Sequence, residues 1–373
     1  MTKILFLIHD LGDGGAEKVL VNLVNNMDVS KFDITVMSIF DEGINRQFLS
    51  DRIHYKYCFK KMFSGNSHLM KLMSPEKLHK MLIKEKYDIE VSYLEGPCAR
   101  IISGCPYEET KLITWIHIEQ HTEKRAAVGF RTIEEAKNCY QKFHQIICVS
   151  ESVKNDFQNI FSVKNNICVL YNTNETKQII IWSKEEVTEN QFSENKMNIV
   201  GVGKLLKSKG FDRILRIVKK LQNEDIDIHF YILGKGPEKE ALENYVMIND
   251  LKKNVSFLGY QINPYKYVAK ADLFVCASWA EGFSTAATEA LIVGTPVCTV
   301  EVSGMKEMLG ENNEYGIVTD NNEEALYQGI KQLLDNPELL RHYKNMASER
   351  GKMFSTENTV KSVENMLLGL LRK

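Results

Sequence analysis

Along the chain, short apolar runs rich in β-branched residues alternate with stretches whose apolar positions recur every three or four residues. A strand buried on both faces gives the first kind of segment and a covering helix the second, so the alternation predicts parallel sheets wrapped by helices. The run ILFLI at 4–8 is the first strand. A loop from Asp10 to Gly15 follows, then a helix with Ala16, Val19, Leu20, Leu23, Val24 and Met27 on one stripe. Further strands are expected at 33–39, 88–94, 111–117, 145–150 and 166–172. Between Thr173 and Lys196 the pattern dissolves into polar residues around a short IIIW island, which places a linker at 176–196. A second series then begins, with strands at 198–203, 227–234, 255–259, 272–278, 295–300 and 315–319, and helices near 208–222, 237–248 and 284–293. From Asn336 onward the pattern is helical throughout. The reading is α/β: two doubly wound domains in tandem, at 1–175 and 197–355, with a cleft between them. In such sheets ligands gather at the carboxyl ends of the strands, so the motifs that matter lie at strand-to-helix turns.

Bulk properties narrow the classes without changing the fold. A length of 373 residues suits two cores. With 47 basic and 49 acidic residues the net charge is −2, which offers no global field for nucleic acid. The eight cysteines form no C-x-x-C pair and several lie inside apolar runs, as buried thiols of a reducing cytoplasm do. The apolar run before His9 spans five residues, too short for a signal peptide or a membrane span. A cytoplasmic protein is expected.

Three turns carry candidate chemistry. Gly12-Asp13-Gly14-Gly15-Ala16-Glu17 joins the first strand to the first helix, where free amides and the helix dipole favour a phosphate. It is not a dinucleotide fingerprint, because Glu17 stands where the third glycine belongs, and Gly201-x-Gly203 and Gly234-x-Gly236 fail in the same way. A plain glycine turn is the alternative there. Lys204 and Lys209 flank the turn that opens the second domain and could converge on a diphosphate as point charges, although a single loop lysine is ordinarily just solvated. The richest segment runs from Ser278 to Leu291, with Glu281 in a turn and Glu289 on the following helix. Each carboxylate can accept two sugar hydroxyls, and the amides at 284–286 are free for phosphate oxygens. Unrelated surface and capping roles for the two glutamates are the alternative.

Taken together and in order, these residues resemble the retaining glycosyltransferases of family 4, which share the GT-B fold of two facing Rossmann-like domains. The resemblance runs over nearly the whole chain: Gly14-Gly15-Ala16-Glu17, His117 after KLITWI, VSESV at 149–153, Tyr171-Asn172, GKL with KSKGF, ILGKGPEKEAL at 232–242, FLGYQINPYKY at 257–267, and the E-x7-E segment. FLGY and EGF look especially like enzymes of bacterial capsule, exopolysaccharide or lipid-linked oligosaccharide synthesis. The resemblance implies a hexosyl- or N-acetylhexosaminyltransferase that takes its sugar from a nucleotide diphosphate, with a UDP-sugar as the expected donor and a glycan or lipid-linked acceptor. It implies Glu289 on ribose hydroxyls, Lys204 and Lys209 on the diphosphate, Ser284, Thr285 and Ala286 on phosphate or sugar, and Glu281 on sugar hydroxyls, with Gly282 and Phe283 in the same turn. Gly234 and Tyr260 would lie near the base, Gly14 and Gly15 at the diphosphate, and His117 at the transferred sugar. The final helix, 356–373, would pack back on the first domain. Lysines would stand in for a cation, so no cofactor and no essential metal are expected; the one D-x-D, Asp225-Ile226-Asp227, precedes a strand instead of following one. Two departures loosen the donor's identity: Lys204 replaces a common arginine, and Ser284 a common glycine.

The segment 52–86 carries nine basic residues against Glu76 and Glu85, interleaved with Tyr57, Phe59, Met62, Phe63, Leu69, Met70, Leu72 and Met73. That mixture suits docking on an anionic membrane at the inner face of the plasma membrane, and equally a solvated basic helix pair. Rival functions are a GT-B nucleotide-sugar epimerase, a dehydrogenase, and a non-catalytic sugar-nucleotide-binding subunit.

Overall fold

A computed structural model of the chain describes residues 1–63, 65, 70–187, 192–193 and 196–372. It divides into two compact units, one built from Met1–Asn174 and the C-terminal helix Thr356–Leu371, the other from Glu175–Ser355.

The first unit is built on a parallel sheet of seven strands: β1 (Thr2–Ile8), β2 (Phe32–Phe40), β3 (His54–Phe59), β4 (Ile89–Ser92), β5 (Lys111–Ile116), β6 (Gln145–Cys148) and β7 (Ile167–Val169). Their spatial order is β3-β2-β1-β4-β5-β6-β7. The central strands are apolar because helices cover both faces, and Ile4 to Ile8 are wholly buried. The order reverses between β1 and β4, and the carboxyl ends of these neighbours release the chain into the loops at Asp10 and Glu95. The closing helix Thr356–Leu371 buries Val360, Val363, Leu367 and Leu370. It is tied to this unit by the Asp28 amide, which donates to Glu364 Oε1 at 2.7 Å, and by the Thr356 hydroxyl, which donates to the Asn174 carbonyl at 2.6 Å.

The second unit has six parallel strands: β8 (Met197–Val202), β9 (Ile228–Leu233), β10 (Val255–Gly259), β11 (Leu273–Cys276), β12 (Val297–Val300) and β13 (Ile317–Thr319). Their order, β10-β9-β8-β11-β12-β13, reverses between β8 and β11. Helix Phe211–Asn223 presses Phe211, Ile214, Leu215, Val218 and Leu221 into the core beside Phe230 and Ile232.

Two expectations are corrected. The linker expected at 176–196 contains a helix, Thr176–Ser183, that belongs to the second unit; Trp182 lies 6.1 Å from the Tyr265 ring, and Asn263 Nδ2 donates to the Trp182 carbonyl at 2.9 Å. Of the IIIW island, Ile179 is thus buried by the docking of this helix, while Ile180 and Ile181 stay exposed. Within 52–86, residues 54–59 form the edge strand β3, paired in parallel with β2, so this part is not one of a helix pair. Helix Pro75–Leu82 follows, and Leu69 lies outside the described residues. Among the described residues no helix is long and apolar enough to cross a membrane.

Candidate functional site

In the second unit the switch point brings the strand ends of β8 and β11 together. The chain leaves β8 through Gly203 and Lys204, and helix Phe211–Asn223 starts after Gly210. Gly210 has φ +65°, and a Cβ there would stand 2.1 Å from the Ala277 carbonyl oxygen. A residue without a side chain is what lets this turn close on the end of β11. The two turns are then clamped twice: the Trp279 amide donates to the Ser208 carbonyl at 2.8 Å, and Lys209 Nζ donates to Glu281 Oε1 at 2.6 Å. The Ser278 hydroxyl donates to the same carboxylate oxygen at 2.7 Å. Burial by itself would lower the pKa of Lys209, but the Glu281 carboxylate beside it outweighs that and raises it, so the ammonium stays charged.

Helix Thr285–Ile292 begins immediately after this turn. Ser284 caps it, its hydroxyl accepting from the Ala287 amide at 3.4 Å. The Ser284 side chain therefore serves the helix, and the first-turn amides of Thr285 and Ala286 stand at half-buried positions where a helix offers donors without intrahelical acceptors. Glu289 is buried on this helix, with the Tyr265 hydroxyl 3.4 Å from its Oε1. Gly282 and Phe283 are packed under the Gly304 turn, where a Cβ would stand 2.8 Å from the Gly282 carbonyl oxygen.

The neighbouring strand ends interlock through glycine. Gly234, after β9, has φ +151°, and a Cβ on it would lie 1.8 Å from the Gly203 carbonyl oxygen; its amide donates to the Gly259 carbonyl at 2.8 Å. Tyr260 follows β10 as an exposed ring with Lys235 Nζ 5.0 Å from its centroid. Lys209, Glu281 and the start of helix Thr285–Ile292 thus form one constellation, with Lys204 at the adjacent strand end. Tyr260 sits at the far end of the sheet order from β11.

In the first unit, the carboxyl ends of β1, β4 and β5 carry Asp10, Glu95 and His117. Asp10 accepts from the Gly12 amide at 2.7 Å and lies 2.7 Å from His9 Nδ1, shaping the glycine turn. Gly14 caps helix Gly15–Asn26, and Glu17 folds back so closely that a Cβ on Gly14 would stand 2.0 Å from its carboxylate. The His117 amide donates to Glu95 Oε2 at 3.1 Å, and its ring lies 5.0 Å from that of Tyr93. Burial pushes the His117 pKa down to about 4, against an opposing pull from the Tyr93 main chain, so the imidazole is neutral at physiological pH. Its Nε2 is enclosed without a hydrogen-bond partner among the described residues. Burial likewise raises the Glu95 pKa, against hydrogen bonds from the main chain of Glu95 itself and of His117.

Sequence reasoning passed over Ser278, Arg213 and Glu95. A signal existed for Arg213: it lies on the apolar stripe of helix Phe211–Asn223 and is 1% exposed, so a charge stands where a core residue belongs. Nothing in the sequence marks Glu95, whose role depends on β4 and β5 being adjacent. One group of metal-capable side chains occurs among the described residues, His79, Glu90 and Cys105. His79 Nε2 lies 2.7 Å from Glu90 Oε2, and the group sits toward the amino ends of β4 and β5, the opposite edge from His117.

Comparison with known proteins accords with this geometry. Residues 13–177 match Glycosyltransferase Family 4, and residues 183–350 match Glycosyl transferases group 1. A relative from Campylobacter jejuni, the N-acetylgalactosamine-N,N'-diacetylbacillosaminyl-diphospho-undecaprenol 4-alpha-N-acetylgalactosaminyltransferase, is 28% identical over 99% of this chain and 100% of its own. Among solved structures, Anabaena HepE in complex with UDP and glucose aligns with a TM-score of 0.78 at 16% identity, covering 98% of this chain and 99% of that one. Staphylococcus aureus TarM, as a mutant in complex with Fondaparinux, alpha-GlcNAc-glycerol and UDP, aligns at 0.76 and 16% identity over 100% of both chains. With two Rossmann-like parallel-sheet units and both family matches in sequence order, the chain belongs to the family 4 glycosyltransferases of GT-B fold.

Proposed function

We propose that the protein transfers a hexosyl or N-acetylhexosaminyl group, with retention of anomeric configuration, from a nucleotide diphosphate sugar to a lipid-linked or polysaccharide acceptor of a bacterial cell surface. The observation that carries this reading is the switch-point constellation of the second unit: an ammonium and a carboxylate 2.6 Å apart, beside the first turn of a helix. Lys209 and Lys204 supply positive charge for the diphosphate, and the amides of Ser284, Thr285 and Ala286 supply donors. Glu281 accepts the hydroxyls of the transferred sugar and Glu289 those of the ribose. Without donor, Lys209 neutralises Glu281; an arriving diphosphate shares that cation and leaves the carboxylate free to accept hydroxyls.

As the bond from the anomeric carbon to the diphosphate oxygen breaks, negative charge grows on the leaving group. Fixed cations and amides therefore stabilise the transition state more than the ground state, a task that needs no divalent ion. The acceptor oxygen attacks the same face, its new bond to the anomeric carbon forms, and its proton passes to an oxygen of the departing phosphate. In the first unit the neutral His117 imidazole has a buried Nε2 without a partner among the described residues, an acceptor suited to a sugar hydroxyl. UDP in the Anabaena and Staphylococcus structures supports a UDP-sugar, and the Campylobacter relative's name supports an acceptor carried on a lipid diphosphate.

At the end of β3, exposed Lys60 and Lys61 stand with exposed Tyr57, Met62 and Phe63. This pairing of cations with apolar side chains suits a membrane whose surface is anionic, at the inner face of the plasma membrane. Binding to anionic vesicles at low salt, weakened by Lys60→Glu with Lys61→Glu, is the expected result; no binding removes the membrane from the proposal. For the chemistry, a donor screen by thermal shift followed by slow hydrolysis of the best binder is the test. Glu281→Ala and His117→Ala should each lower transfer far more than stability, and wild-type rates in either variant would remove that residue's assigned role. Release of a free epimerised sugar nucleotide without acceptor would replace transfer by epimerisation.

A further inference from the structure

Next to Glu281 stands a tryptophan whose setting is unusual for a surface side chain. Trp279 is 55% exposed, yet it is held from two sides. Its amide is fixed on the Ser208 carbonyl, and the Arg213 guanidinium lies 4.2 Å from the centroid of its ring. Arg213 is almost fully buried and faces neutral partners: Nη1 donates to the Ala277 carbonyl at 3.1 Å and to Asn321 Oδ1 at 2.8 Å, while Nε and Nη2 have no hydrogen-bond partner among the described residues. Among the described residues no carboxylate hydrogen-bonds this buried guanidinium; the charges of Asp212 and Glu323 act on it without a hydrogen bond, and the indole face covers it directly. One face of the ring is thereby covered, which orients the other outward.

A rigid aromatic ring with one open face, two residues from a carboxylate placed to accept hydroxyls, has the shape of a sugar platform. The C–H edges of a pyranose carry partial positive charge and lie flat on such a face, while its hydroxyls reach the flanking carboxylate. We propose that the open face of Trp279 is a stacking site for a pyranose ring, and that Arg213 is the positioning residue that sets its angle. The proposal rests on the glycosyltransferase reading and adds to it a subsite and the chemistry that the subsite recognises. The ring is either the donor's sugar or the acceptor's terminal sugar, and the two give different kinetics.

The test uses the full chain with its best UDP-sugar. Trp279→Ala should raise a KM by about ten- to a hundredfold, the scale of losing one stacked ring, while Trp279→Phe recovers most of it. If the donor's sugar stacks, the donor KM in acceptor-free hydrolysis rises; if the acceptor's sugar stacks, only the acceptor KM in transfer rises. Arg213→Lys should move the same KM with a smaller change in kcat, a split that a merely structural role would not give. Indole fluorescence should respond to the sugar-bearing ligand more than to UDP alone, and that difference should vanish in Trp279→Phe. Unchanged KM values in Trp279→Ala, or equal responses to UDP and UDP-sugar with no response to acceptor, would overturn the platform. Absence of transfer in the wild type would instead overturn the underlying reading.

Discussion

At the scale of residues, the protein's ionisable groups are set by neighbours that the sequence does not place beside them. His117 is the clearest case. Its pKa of about 4 lies below the ordinary 6.5, so the unfolded chain takes up this proton first as pH falls. The linked penalty is absent above pH 6.5, grows between 6.5 and 4, and levels off below at roughly 3–3.5 kcal/mol. His117→Asn should therefore lose less stability than the wild type between pH 6.5 and 4.5, as urea unfolding at each pH would read; parallel curves would show that the ring is not buried neutral. Lys209 and Glu281 are the second case. Lys209→Ala leaves the carboxylate with Ser278 as its partner among the described residues, and kcat/KM should fall by about 10²–10³-fold. Glu281→Ala should cost a similar factor, and the double variant far less than the product of the two, because one pair is being removed. Multiplicative losses in steady-state kinetics would mean the two act separately. Lys209 and Glu281 were legible as candidates from their motifs, but their mutual bond was not, since it depends on Gly210 letting one turn settle on the end of β11.

At the scale of elements, strands buried on both faces were the most legible because their apolar runs are continuous. β1, β8, β9 and β11 all lie within or nearly within their expected spans. β3 escaped notice because an edge strand with exposed His54 and Tyr57 alternates with charge and looks like a polar surface segment. Helix Thr176–Ser183 escaped because eight residues give too little periodicity to stand out from a linker. The sequence marks the glycine turn at 12–15 for a phosphate and Gly234 for the neighbourhood of the base; the structure shows Gly210 and Gly234 permitting the close approach of neighbouring strand ends. Gly234→Ala should cost about 2–4 kcal/mol, since φ +151° and a contact of 1.8 Å leave a Cβ no room. A thermal melt within a degree of the wild type would show that the interlock is soft.

At the scale of the molecule, the chain returns to its first unit after completing the second. Helix Thr356–Leu371 buries four large apolar side chains there, and at about 1.5–3 kcal/mol each these rival the stability of a whole domain. Ending the chain at Ser355 should therefore unfold the first unit while the second keeps its own melting transition and its nucleotide binding, which calorimetry with and without UDP would separate. Retention of both transitions would show that the helix is dispensable.

The central claim is that the strand ends of the second unit neutralise a departing nucleoside diphosphate with lysine and amide groups. Its most direct test is UDP release from UDP-sugars by the purified chain, with and without a lipid-diphosphate acceptor, in excess EDTA. The expected result is acceptor-stimulated release that persists in EDTA and collapses in Lys209→Ala. Release that stops in EDTA and returns with a divalent ion, or that survives loss of Lys209, would contradict it.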